Sequence, residues 1–281
     1  MKRLIQNHLA ILIIFCFLLF SCSNQEEIRK KDGHEYNGSY SGKFLDRIAF
    51  PVGGIGAGMF CIEGTGSISH MSVRNRPEVF NEPCMFAAIT VKGLKNGTKV
   101  LEGQVRDWKK FGQPNSANGS AGTSYGFPRF QNAKFTARFP FALIELRDDD
   151  IPLEVNLTGW SPFIPTDADN SSLPAGAIEY SFRNNGSSKI EAVFSYNSVN
   201  FMGQPNGVNK IKPTSVGFDL SEEGVKDKPE LNEESAMFTY GAPAAVGYCW
   251  FRGGWWDPLT ITWVTIINVD TRNTNPGGQV S

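Results

Sequence analysis

Short segments rich in Val, Ile, Phe, Tyr and Thr recur along this chain from Phe44 onward, divided by Gly, Pro and Asn. The clearest are Cys84 to Val91, Lys134 to Leu146, Leu153 to Trp160, Ala177 to Arg183, Ile190 to Asn197 and Leu259 to Ile267. Within the fourth, Ile178, Tyr180 and Phe182 alternate with smaller or polar residues, the period of a half-buried strand. The second alternates through Phe135, Ala137, Phe139 and Phe141, and Pro140 marks it as an edge or a bulge. Asn-Gly pairs beginning at Asn96, Asn118, Asn185 and Asn206 supply the turn chemistry that joins antiparallel strands. No apolar i, i+3, i+4, i+7 stripe is sustained over three turns, so the pattern predicts no helix. It predicts an all-β chain, a two-sheet antiparallel β-sandwich.

The N-terminus follows a different pattern. Lys2 and Arg3 precede a wholly apolar run from Leu9 to Phe20, closed by Ser21-Cys22. This is the order of an export signal, too short to span a bilayer as a helix. Cys22 after a small residue resembles a bacterial lipobox, in which the thiol is acylated and becomes the mature N-terminus. The other reading is an ordinary cleaved signal with an incidental Cys. The expected organisation is a signal peptide over 1–21, a charged, aliphatic-poor stalk over 22–43 and one module over 44–281. The chain is expected outside the cytoplasm, tethered to membrane lipid through Cys22 on the periplasmic side or at the cell surface.

Composition narrows the chemistry. The net charge of −1 becomes −3 once Lys2 and Arg3 are removed, and no basic stripe suggests a nucleic-acid partner. Beyond Cys16 and Cys22, only Cys61, Cys84 and Cys249 remain, too few for a disulfide framework and not at metal-ligand spacing. His70 is the sole histidine beyond the signal and stalk. No metal or other cofactor is expected.

Three segments could carry function. The first is Phe50-Pro51-Val52-Gly53-Gly54-Ile55-Gly56-Ala57-Gly58, where a strand follows instead of the helix that a nucleotide fingerprint needs. It reads as a bulged strand, or as backbone that something approaches closely at Gly53, Gly54, Gly56 and Gly58. The second, Ser69 to Pro77, gathers His70, Arg74, Asn75 and Arg76, suited to sugar hydroxyls, to another domain, or simply to a solvated face. The third includes Trp255 and Trp256, which could stack on pyranose rings or serve as core residues. Asp107–Tyr125 reads as a long polar loop and Asp148-Asp149-Asp150 as a solvated turn. Glycoside hydrolysis needs two opposed carboxyl groups. Glu63, Glu78, Glu82, Asp167, Asp169 and Asp257 are available, without a spacing that shows convergence.

Several ordered blocks resemble one family. Arg47 to Gly58 (RIAFPVGGIGAG) is similar to the signature opening the N-terminal domain of glycoside hydrolase family 116, which includes β-glucosidases and non-lysosomal glucosylceramidases. Thr158–Pro165, Asp169–Pro174 and Tyr180–Asn184 agree in type and order. The resemblance implies a β-sandwich that precedes a larger (α/α)6 barrel carrying a Glu nucleophile and an Asp acid/base. This chain ends at Ser281 without that helical half, so no residue here is expected to inherit a catalytic role. The expectation is a non-catalytic N-terminal module of a lipid-anchored β-glucosidase, inactive alone, with a missing or separately encoded helical domain and a β-glucoside or glucan as possible partners. The alternative is a carbohydrate-binding or partner-docking surface lipoprotein. By resemblance, the glycine segment and the Ser69–Pro77 loop would face the barrel.

Overall fold

The computed structural model describes residues 33–73, 76–78, 81–110, 123–203, 208–223, 234–241, 243–247 and 258–268. The signal, Cys22, most of the stalk, Arg74, Asn75, the turns at Asn118 and Asn206, Trp255 and Trp256 lie outside the described residues. Two units are distinguished, Met1–Ser39 and Tyr40–Ser281. In the first, the Gly38 N–H donates to the Glu35 carbonyl at 3.0 Å.

The second unit is built almost entirely of strands, as the alternation predicts. A five-stranded antiparallel sheet has the order β1 (Tyr40–Ser41), β8 (Asn132–Arg138), β9 (Phe141–Arg147), β10 (Leu153–Trp160) and β11 (Ala177–Asn184). A four-stranded sheet has the order β12 (Ala192–Ser198), β5 (Met85–Val91), β6 (Thr98–Gly103) and β7 (Arg129–Phe130). Two three-stranded sheets hold β2 (Ala49–Val52), β3 (Met59–Glu63) and β4 (Ile68–Ser72), and β13 (Val208–Pro213), β14 (Gly217–Glu223) and β15 (Glu234–Phe238). The folded unit thus begins at Tyr40, paired with Phe135, inside the 22–43 stretch expected to be stalk.

One core joins the two larger sheets with the β2–β4 sheet. Phe135, Ile144, Leu146, Val155 and Leu157 from the five-stranded sheet meet Ala87, Ile89, Leu101 and Phe130 from the four-stranded sheet, with Val52 and Ile62. Strand β5 is buried at every residue, which its composition, apolar but for Thr90, anticipates. Ala87, Ile89 and Val91 face this core, whereas Phe86 and Ala88 face a second cluster with Val100, Leu259 and Ile266.

That second cluster corrects the expected strand at Leu259 to Ile267. Pro258–Ile267 is an α-helix, one of three short α-helices among the described residues, after Asp107–Lys110 (α1) and Ala168–Ser171 (α2); it is α3. Leu259, Trp263 and Ile266, at i, i+4 and i+7, lie on the outer face of the four-stranded sheet, and Trp263 stacks on Phe127 at 4.5 Å. Thr90 Oγ1 donates to the Ile266 carbonyl at 3.0 Å. Its Ile, Val and Thr residues favour a strand locally. Packing against the apolar outer face of β5 overrides them, and exposed Val264 and Ile267 blur the helical stripe.

Two further expectations change. The Lys134–Leu146 segment is two strands, β8 and β9, which turn at Phe139-Pro140 and pair from Arg138↔Phe141 to Asn132↔Arg147. The Asp148-Asp149-Asp150 turn is not simply solvated. Asp148 is buried, 2.5 Å from Lys99 Nζ, and accepts the backbone N–H groups of Gln131 and Asp150. The lysine lies at the edge of the core, and burying it without an anion would cost several kcal/mol, so the carboxylate must follow it inside.

The outer face of the five-stranded sheet is sorted by row. At one end a chain of alternating charges crosses four strands: Lys134–Glu145 at 3.0 Å, Arg147–Glu154 at 2.6 Å and Arg183–Glu154 at 2.5 Å, with Arg147–Glu145 at 3.5 Å. At the other end, Phe141 stands opposite Trp160.

Candidate functional site

The glycine segment is the connection between β2 and β3, and it is tight. Gly56 and Gly58 take φ of +74° and +93°, a region that favours glycine. What approaches the backbone closely is the chain itself. A Cβ on Gly54 would run into the Leu173 carbonyl, and one on Gly58 would sit 2.8 Å from the Ser72 carbonyl. The Ile55 N–H donates to the Ser171 carbonyl at 2.8 Å, and the Gly53 N–H to Ser161 Oγ at 3.1 Å. The turn is therefore pinned to the 161–173 segment. Within that segment Asp167 accepts from the Asn170 side-chain Nδ2 at 2.6 Å and, as the cap of α2, from the Asn170 backbone N–H at 3.0 Å, which together hold its carboxyl below the usual carboxylate range.

Around this pin the surface is apolar. Ile55, Ile164 and Leu173 are each at least half exposed, and exposed Phe139 packs edge-on against Phe163 at 4.9 Å. By the area such side chains present, they offer about 400 Å² of apolar surface, the scale at which a patch marks an interaction site.

The Ser69–Pro77 segment lies beside the same turn, through Gly58 and the Met59↔Ser72 pair. His70 is half-buried with φ +51°; its Nδ1 is 2.7 Å from Ser69 Oγ, and its N–H donates to the Asn81 carbonyl. Arg76 is exposed and paired with Glu78 at 2.7 Å. The structure brings the glycines and the start of this segment together. It does not place Trp255 or Trp256, nor Arg74 or Asn75, relative to them.

The densest chemistry lies elsewhere, among residues that spacing alone does not connect. Lys109, on α1, is buried with its Nζ 2.6 Å from both Glu63 oxygens and 2.6 Å from Glu82 Oε1. Tyr125 donates a short hydrogen bond to Glu82 Oε2, and burial beside these carboxylates pushes its hydroxyl pKa up. Next to them, Arg129 donates to Glu102 Oε2 at 3.2 Å, to the Ser124 and Phe127 carbonyls and to Ser124 Oγ. Glu102 is buried, and loss of water outweighs the pull of Arg129, raising its carboxyl above the usual range. The same burial, with Glu63 nearby, lifts the Cys61 thiol to about 11, so it is inert as a nucleophile at neutral pH. Apolar sequence patterning could not find this cluster, because it is made of charged residues from β3, β6, α1 and β7 and the segments at 82 and 124–125.

Three carboxylates and two cations this close invite comparison with a hydrolytic pair. Yet both Glu63 oxygens are on Lys109, and both Glu82 oxygens are bonded, to Lys109 and Tyr125. Among the described residues, Lys109 fills the space between the two carboxylates and leaves no gap for a sugar there. The arrangement locks both ends of the 110–123 connection to the sandwich. An open groove of about 430 Å³ lies between Gly42, Gln104, Arg106, Asn132 and Arg147, but Glu145 is the one carboxylate on its lining. A two-acid mechanism has no second acid there. Among the described residues, no His, Cys, Asp and Glu grouping could hold a metal ion.

A family model described as beta-glucosidase 2, glycosyl-hydrolase family 116 N-term matches residues 49–242, more than two thirds of the chain. No curated protein matches it. The match begins at β2 and takes in the glycine turn, the 161–173 segment and every carboxylate of the buried cluster. The chain belongs to the glycosyl hydrolase family 116 N-terminal domain family.

Proposed function

We propose that this chain is the non-catalytic sandwich module of a lipid-anchored, β-glucosidase-like glycoside hydrolase, inactive in hydrolysis by itself. It acts together with a helical catalytic domain of the family 116 kind. The observation that carries this reading is the state of its buried acids. Glu63, Glu82 and Glu102 are held by Lys109, Tyr125 and Arg129, so they serve the fold instead of facing a substrate. The apolar surface around the glycine turn is the face we assign to the helical domain, because Ile55, Ile164 and Leu173 stand out from a backbone too tightly pinned to yield. Export and acylation at Cys22 rest on the Lys2–Cys22 pattern and would hold the module on the outer side of a membrane.

The test is co-expression with a family 116 helical domain, followed by assay with an aryl β-glucoside. The chain alone should show no turnover. The pair should co-purify and hydrolyse, and Ile55→Asp with Leu173→Asp should separate them. Turnover by the chain alone, abolished by replacing one of its own carboxylates, would overturn the proposal. Cys22→Ser should move the chain from the membrane fraction to the soluble one.

A further inference from the structure

The outer face of the five-stranded sheet carries an aromatic row that the glycine turn does not explain. Register places Arg138, Phe141, Trp160 and Ala177 side by side across β8, β9, β10 and β11. The next row is Thr136, Leu143, Thr158 and Glu179. Their partners one residue along, Ala142, Ile144 and Leu157, are buried on the inner face, so these two rows point outward. Phe141 is 45% exposed, Leu143 38% and Trp160 37%. Phe139 belongs to a different surface, since its ring lies against Phe163 and Phe50 across the Phe139-Pro140 turn.

The size and charge of this face select its occupant. At about 200–250 Å² of full surface per aromatic side chain, the three exposed residues offer about 250 Å² of apolar area. That is below the roughly 300–600 Å² of contiguous apolar surface typical of a functional protein-contact patch, so this row is too small to hold a second copy or another domain. It suits a small ligand with an apolar face. Arg138 and Glu179 stand at opposite corners with opposite signs, and Thr136 and Thr158 lie between them. A charged polymer would meet repulsion at one corner, whereas a neutral polyol can hydrogen-bond at both. Four strands spaced about 4.8 Å apart make the row about 14 Å long, which two or three sugar rings span. Pyranose rings with equatorial hydroxyls combine an apolar face with a polar edge. We infer that this face binds a short stretch of neutral β-linked pyranoside chain, stacked on Trp160 and Phe141, with hydroxyls taken by Arg138, Thr158 and Glu179.

Calorimetric titration of the purified full chain with cellopentaose, and affinity electrophoresis through a soluble β-glucan, test this directly. Binding should weaken about tenfold or more in Trp160→Ala and in Phe141→Ala. Trp160→Phe should retain most of it, and Leu173→Ala, on the glycine-turn surface, should leave it unchanged. Circular dichroism melts keep folding separate from binding. No binding of either glucan, or unchanged binding in the Trp160→Ala, Phe141→Ala double variant, would overturn the inference. Loss of a helical partner in that double variant, without any sugar binding, would also overturn it. Dependence of hydrolysis on a helical domain is read by co-purification, so either idea can fail while the other stands.

Discussion

Replacing Lys109 with Met isolates the buried charge cluster in one substitution. The methionine fills nearly the same space along α1, so the main change is loss of an ammonium that touches Glu63 twice and Glu82 once. Both the lysine and Glu63 are more than nine-tenths shielded from water, so solvent cannot take over its role. Removing one partner of a buried pair costs about 3–5 kcal/mol, most of it the penalty of an uncompensated charge. For a domain of this size, that corresponds to a melting temperature lower by roughly 6–20 °C. Urea denaturation at about pH 7.5 measures the loss. Adding Glu63→Gln to Lys109→Met should restore part of the stability, because it removes one of the two stranded carboxylates. A loss below about 1 kcal/mol, or no recovery in the double variant, would refute the reasoning that this lysine is a buried counterion.

Two more outcomes follow from the same geometry. Because burial raises the Glu102 carboxyl in the folded state, stability tied to that group is present below about pH 4.5 and lost as pH rises through its folded value. Glu102→Gln, whose amide oxygen can still accept from Arg129, should flatten the stability profile above pH 4.5; an unchanged profile in thermal melts would exclude that role. At the glycine turn, Gly54→Ala should cost about 1–3 kcal/mol by forcing a Cβ into the Leu173 carbonyl. Gly56→Ala meets nothing within 4 Å and should cost only the strain of its +74° φ, about 1–2 kcal/mol. Calorimetric scans showing Gly56→Ala clearly the worse would contradict the packing described here.

Strands were legible where burial is one-sided or complete. The alternation of Ile178, Tyr180 and Phe182 locates β11, and the run Met85–Val91, apolar but for Thr90, locates a strand covered on both faces. The C-terminal helix was illegible because its residues are locally strand formers, and only the exposed outer face of the four-stranded sheet makes a helix the better solution. The turn at Phe139-Pro140 was hidden because apolar residues continue through it, from Phe135 to Phe141. At the functional surface, the glycines announced close backbone contact but not its partner, since Leu173 is more than a hundred residues away. Lys109 read as part of a polar loop. A lysine alone carries no signal of burial until Glu63 and Glu82 arrive beside it from distant strands and loops.

The placement of acids also bears on where hydrolysis can occur. A glycosidase needs one carboxyl that can give up a proton to the leaving group and a second facing it across the sugar. Glu63 could do neither without first releasing Lys109, at a cost comparable to much of a domain's net stability. Glu82 would have to release both Lys109 and Tyr125. Such a network is useful only if it stays closed, because its value lies in holding the flanks of the 110–123 connection against the sandwich. Rigidity there favours a scaffold that presents surfaces. The tight glycine turn then displays Ile55 and Leu173 at one end, and the register of β9 and β10 displays Phe141 and Trp160 on the outer face. On the two proposals made above, these surfaces use different residues, Ile55 and Leu173 for a catalytic partner and Phe141 and Trp160 for a sugar chain, so the two would not compete.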